Sequence, residues 1–148
     1  MTHSEVTIFQ IDKFWCFQGA PPKVSFLKKM FALLEKVGTT GVLLEWEDMF
    51  PFWGKLAGIA AGNAYSRQDV QSILQMAREH NLEVIPLVQT FGHVEFALKH
   101  EQWASLREVP DSPQALCPSL NSSMEFIQLM IEQVSLVCYL RTLSLLIW

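Results

Sequence analysis

The chain has 148 residues, half of them hydrophobic, and a formal charge of -4, enough for one buried core and too apolar for a compositionally disordered chain. Its eleven Lys and Arg are scattered and outnumbered by acids, so no basic stripe exists to neutralise a phosphate backbone and no nucleic-acid partner is expected. Cys16, Cys117 and Cys138 are too few and too far apart for a disulfide framework or a CxxC metal pair, which fits a reducing compartment.

The opening residues lack the apolar run and cleavage site of a secretory signal, so cytoplasm or nucleus is the expected location. Residues 6–11, "VTIFQI", are β-branched and apolar and predict a first strand. Pro21 and Pro22 precede "KVSFLKKMFALLEKVG", where Val24, Leu27, Met30, Phe31 and Leu34 recur at helical spacing and Gly38 is placed to stop the helix. "GVLLEW" at 41–46 predicts a second strand, followed by the loop "PFWGKLAGIAAGN". Ser66 and Asp69 cap a helix through His80, with Val70, Ile73, Leu74 and Ala77 on one face and Asn81 at its end.

"EVIPLV" predicts a third strand, and a loop rich in Pro, Asp and Ser leads to a third long helix, with Ser122 and Glu125 as its capping box. Residues 135–148, "SLVCYLRTLSLLIW", are apolar, but Arg141 interrupts a run already shorter than the ~20 apolar residues of a membrane span. No membrane partner is expected, and the tail either forms a fourth strand or extends the third helix. Strand and helix alternate throughout, the rhythm of βαβ units with a parallel sheet.

In parallel βα architectures the carboxyl ends of the strands share one rim, where ligands bind. Asp12 and Lys13 follow the first predicted strand; Glu45, Glu47 and Asp48 follow the second; Gln89, Thr90, Gly92, His93 and Glu95 follow the third. Period-two alternation sets Leu43, Glu45 and Glu47 on one face and Val42, Leu44, Trp46 and Asp48 on the other. Like charges at a partly buried mouth would push at least one carboxyl pKa upward. Trp46, Phe50, Phe52 and Trp53 beside these acids suit the flat C–H face of a sugar.

Each feature also has an ordinary reading: a solvated rim acid, a packed histidine, core aromatics. His93, Glu95 and His100 do not follow HExxH spacing, no phosphate-cradling glycine motif or GxSxG elbow occurs, and neither a metal nor a cofactor is expected.

The blocks "GAPPKVSFL", "LLEWEDMFPF", "AYSRQDV" and "LEVIPLVQTFGHVEFALKHEQWASLREV" resemble the N-terminal part of the catalytic domain of glycoside hydrolase family 20. The resemblance runs from about residue 19 to 134, which makes residues 1–134 part of that barrel and leaves 135–148 as a divergent apolar tail. It implies α/β structure: a partial (β/α)8 TIM barrel made of about the first three βα units. It also implies hydrolysis of terminal N-acetylhexosamines (N-acetylgalactosamine or N-acetylglucosamine) by substrate-assisted retaining catalysis, an exception to the usual two-carboxylate scheme. In that scheme an Asp orients the acetamido group and the adjacent Glu protonates the leaving oxygen.

His93 then corresponds to the imidazole that supports the acid, with Glu47 or Asp48 supporting His93. Asp12 corresponds to a sugar-hydroxyl ligand of strand one, with "KFWCFQ" as an extra stretch, and Glu45, Gln89, Glu95 and Trp46 are candidate substrate contacts. No Asp-Glu dipeptide occurs in the sequence, and a closed (β/α)8 barrel needs ~250 residues.

The expectation is therefore a family hydrolase truncated before its catalytic pair and inactive alone. The alternative is a non-catalytic isoform that binds sugar weakly or pairs, or aggregates, through an open sheet edge. A different hydrolase using Glu45 and Glu47 as acid and base is disfavoured, because residues two apart on a strand lie ~6.6 Å apart on one side of a substrate.

Overall fold

The computed structural model describes residues 20–138, together with the backbone of residues 11–16 and 146–147. Its principal sheet is parallel, with strand order β1 (Ile11–Cys16), β2 (Gly41–Glu45), β3 (Glu83–Val88) and β6 (Leu146–Ile147). Helix α1 (Val24–Lys36) connects β1 to β2, α2 (Arg67–Glu79) connects β2 to β3, and α4 (Asn121–Cys138) precedes β6. The connection after β3 also holds the short helix α3 (Glu95–Leu98) and an antiparallel hairpin, β4 (Arg107–Val109) with β5 (Ser112–Leu116).

Local chemistry explains the helix limits. At the end of α1, Gly38 takes φ 84°, the Thr39 N–H reaches the Leu34 carbonyl at 3.0 Å and the Gly38 N–H reaches Glu35 at 3.1 Å, a Schellman stop. The α2 start is a reciprocal capping box: Ser66 Oγ accepts from the Asp69 N–H at 3.0 Å, and the Asp69 carboxylate accepts from the Ser66 N–H at 2.9 Å. At its end Asn81, at φ 55°, allows the Leu82 N–H to reach the Ala77 carbonyl at 2.9 Å.

The core lies between sheet and helices. Leu27, Phe31 and Leu34 of α1 and Val70, Ile73, Leu74 and Ala77 of α2 are buried against a cluster that includes Val42 and Leu44. Full burial of such a side chain stabilises by about 1.5–3 kcal/mol. Beyond the core, Glu35 joins the two helix ends, accepting from Asn81 Nδ2 at 3.0 Å and lying 2.7 Å from His80 Nδ1.

Three expectations need correction. The first strand is Ile11–Cys16, so most of "KFWCFQ" is the strand itself and Asp12 and Lys13 lie within it; residues 6–10 of the expected strand lie outside the described residues. Helix α4 begins at Asn121, with the Leu120 carbonyl accepting from the Ser123 and Met124 N–H groups, which places Ser122 inside the helix and leaves no Ser122/Glu125 box. The loop before α4 contains the β4–β5 hairpin, turned through Pro110 and Asp111. As for the tail, α4 extends to Cys138 and Leu146–Ile147 pair with Leu87 and Val88; residues 139–145 and 148 lie outside the described residues.

Candidate functional site

The β2 end builds most of the site. The strand stops at Glu45; Trp46 takes helical angles, Glu47 turns to φ 44°, and a 3-10 turn runs over Glu47–Met49. A positive φ is uncommon for a residue with a Cβ and is kept only where its surroundings hold it. Here the Asp48 carbonyl accepts from the Ala61 N–H at 2.8 Å and the Met49 carbonyl from the Tyr65 N–H at 3.0 Å. The period-two argument therefore fails beyond Glu45, because the strand ends there. The turn nonetheless brings Glu47 back to Glu45 within hydrogen-bonding contact.

Glu45, Glu47, Asp48 and Gln89 are all buried. Parallel register sets Glu45 opposite Leu87, so Gln89 leaves β3 just beyond it, and the Gln89 Nε2 donates to Glu45 Oε1. Lys99, past the end of α3, donates to Asp48 Oδ2 at 2.9 Å. Glu95 opens α3 and adds its charge to the same cluster. Four carboxyl groups thus gather here, and the Lys99 ammonium bonds one of them, Asp48.

The consequence falls on Glu47, whose pKa is raised from the usual 4.5 to about 8. Burial is the largest cause, followed by repulsion from Glu45, Asp48 and Glu95 and by the hydrogen bond with Glu45. At neutral pH Glu47 is therefore an uncharged acid with a proton to donate. Around it Glu47 Oε2, Asp48 Oδ1, Gln89 Oε1 and Glu95 Oε2 are buried without a hydrogen-bond partner. Such groups call for donors from a ligand or from water.

The hollow beside them, lined by Trp46, Glu47, Phe52, Gln89, Phe96 and Met130, encloses only about 10 Å³, the room that one water needs. The hollow is therefore too small to enclose a sugar ring. A larger concavity, about 520 Å³, runs along α2 between Gln68 and Arg78 and includes none of these acids.

Other sequence expectations also change. Asp12 lies beside the Ile11–Gly41 pair, where a register irregularity separates Ile11 from Lys13. It is Cys16 that stands opposite Glu45. Along the β1 backbone Asp12 is thus four residues, ~13 Å, from the position opposite Glu45. Its side chain lies outside the described residues.

Trp46 is 1% exposed and meets Phe50 and Tyr65 edge-on, so it is a core residue and not an exposed platform. Phe50 and Phe52 are buried with it, whereas Trp53 is half-buried under the Arg67 guanidinium, 3.8 Å from the ring centroid. His93 is exposed at φ 55°. Among the described residues no hydrogen bond or ion pair joins it to Glu47 or Asp48; Asp48 pairs with Lys99 instead.

Two contributors escaped the sequence reading. Lys99 could have been found from its position four residues after Glu95 on a helical face. Gln133, which accepts from the Trp53 N–H and donates to the Trp53 carbonyl, both at 3.0 Å, carries no local signal eighty residues away.

Comparison with known proteins places this geometry. Residues 27–144 match the glycosyl hydrolase family 20 catalytic domain. Hexosaminidase D from Bos taurus is 50% identical over 117 residues, which are 79% of this chain and 34% of the bovine protein. Hexosaminidase D from Homo sapiens is also 50% identical over 117 residues, 24% of its length, so the chain spans between about a quarter and a third of the curated relatives it matches.

Among solved structures, the β-N-acetylhexosaminidase of Streptomyces coelicolor A3(2) superposes with a TM-score of 0.69 at 16% identity, over 87% of this chain and 30% of that one. The enzyme of Bacteroides fragilis NCTC 9343 gives 0.65 at 19% identity, over 84% and 29%. These two share the fold, and the parallel sheet described above is part of a (β/α)8 barrel. On this match of sequence, the chain belongs to glycosyl hydrolase family 20.

Proposed function

We propose that this chain forms the sugar-recognising part of a β-N-acetylhexosaminidase and binds a terminal N-acetylgalactosamine or N-acetylglucosamine over the ends of β2 and β3. The observation that carries the reading is the carboxyl cluster around Glu47: a neutral buried acid, with unpartnered acceptors on Glu47, Asp48, Gln89 and Glu95 beside it. Hydroxyls of the sugar, relayed by a water in the small hollow, donate to these acceptors, while the Glu47 proton serves its hydrogen bond with Glu45. His93 stands at the rim, exposed to incoming glycoside. The family resemblance and the hexosaminidases that share its sequence and fold support the choice of sugar.

The substrate-assisted scheme that the resemblance implies needs an adjacent Asp and Glu, and the sequence contains no such dipeptide. In our reading the 148 residues bind without turning over, in the cytoplasm or nucleus. Loss of a general acid alone slows such a reaction by about 10²–10⁴.

The purified chain should release no aryl alcohol from aryl N-acetyl-β-hexosaminides above a buffer control, yet should bind N-acetylhexosamine in ligand-observed NMR. Glu47→Ala should weaken that binding about tenfold, and Glu47→Gln, which keeps a neutral donor, should retain most of it. Turnover that survives purification, or binding indifferent to Glu47→Ala, would overturn the reading.

A further inference from the structure

The hairpin between β3 and α4 is attached to the site at two points. Its second strand grips the turn that carries His93: the Leu116 N–H donates to the Phe91 carbonyl at 2.9 Å, the Val94 N–H donates to the Gln114 carbonyl at 3.3 Å, and Gly92 bridges Ala115. These contacts bracket His93 on both sides and hold it at φ 55°. A residue with a Cβ is disfavoured there, so the bracket must offset that strain.

The first strand of the hairpin is tied down by Arg107. Its Nε and Nη2 donate to the Leu98 carbonyl at 3.0 and 2.8 Å, and its Nη1 donates to the Pro110 carbonyl at 2.9 Å. Leu98 ends the helix that Glu95 begins. The Cys117 N–H closes the base of the hairpin on the Leu106 carbonyl at 2.8 Å. Together these bonds make a closed ring, from the His93 turn through α3 and Leu98 to Arg107, then through the hairpin back to the turn. A rigid planar fork can hold two carbonyls in fixed directions, and a lysine cannot.

We propose that Arg107 is a positioning residue: through the β4–β5 hairpin it holds His93 in its left-handed conformation and keeps Glu95 at the carboxyl cluster. Its value to sugar binding rests on the function proposed above; the mechanical part does not. A mount of this kind fixes side chains that would otherwise follow a mobile connection.

Amide hydrogen exchange on the full 148-residue chain tests it. Arg107→Ala should speed exchange at Val94 and Leu116 by about tenfold or more while leaving the amides shared by β2 and β3 unchanged. Arg107→Lys should recover only part of the protection. Adding His93→Gly to Arg107→Ala should restore protection about fivefold, because glycine adopts this backbone without strain.

Unchanged exchange at Val94 and Leu116, uniform acceleration across the sheet, or no rescue by His93→Gly would overturn the proposal. Should Arg107→Ala not fold, Arg107→Lys with and without His93→Gly reads the same rescue. N-acetylhexosamine binding is measured on the same variants. A loosened turn with undiminished binding would refute the sugar role of His93 and Glu95 while leaving the mount intact.

Discussion

The ends of β2 and β3 occupy equivalent places in the barrel and finish in opposite ways. After β2 the chain folds inward at once: Trp46, Glu47, Asp48, Met49 and Phe50 are all buried, and a left-handed Glu47 turns its carboxyl back on Glu45. After β3, Gln89 is the one buried residue of 89–93; Phe91 is 53% exposed and His93 stands in solvent, its turn held from outside by a hairpin. One end stores electrostatic stress in a packed cluster, and the other presents side chains on a mounted loop. Both positive-φ residues are retained because their surroundings hold them, Glu47 by bonds from the following loop and His93 by β5.

The contrast can be broken most forcefully at the aromatics. Trp46→Ala should destabilise by about 3–5 kcal/mol, as a large buried side chain does, and Phe91→Ala should change stability by under about 0.5 kcal/mol. Urea unfolding of both variants checks this; a comparable loss at Phe91 would mean that the β3 end is packed as tightly as the β2 end.

Glu47 offers the next largest effect. Its pKa is raised to about 8 in the folded chain, so between the ordinary glutamate value of 4.5 and about 8 the folded state keeps a proton that the unfolded chain has released. Stability therefore falls as pH rises through that window and is level above it. Glu47→Gln should match the parent at pH 4 and exceed it at pH 8 by roughly 2 kcal/mol, a figure discounted for solvent at the open mouth. Denaturation at the two pH values measures it, and a parent curve that rises with pH would contradict the clustered-acid account.

The smallest effect concerns the link between the two ends. Lys99 is half exposed where it reaches Asp48, so Lys99→Met should cost about 0.5–1 kcal/mol, and less in high salt. An effect of several kcal/mol would show that this bridge organises both ends together.

Much of the scaffold was legible because its signals are local. The α1 stripe, the Gly38 stop and the Ser66/Asp69 box each sit within one or two helical turns, and all three appear where the spacing puts them. Glu45 and Gln89 were legible as neighbours because parallel strand ends share a rim. That the first strand runs through Ile11–Cys16 was not legible, because β-branched "VTIFQI" has the stronger composition and only pairing with β2 identifies the later residues as strand.

Ser122 and Glu125 matched a capping pattern, but the helix had already begun at Asn121. The hairpin was readable in principle from Pro110 and Asp111 between two short extended runs. Its grip on His93 was not, since that depends on which backbone groups meet in space.

From the residues alone came the order of strands and helices, the family resemblance, and the collection of acids and amides at the ends of β2 and β3. These follow from periodicity, caps and blocks of neighbouring residues, which act over a few positions of chain. Tertiary structure decided that Trp46 is core, that Asp48 pairs with Lys99 and not with His93, that Asp12 lies four residues before the position opposite Glu45, and that Glu47 keeps its proton. Those outcomes turn on burial, on strand register and on the summed field of charges from separate elements, and no run of sequence contains any of the three.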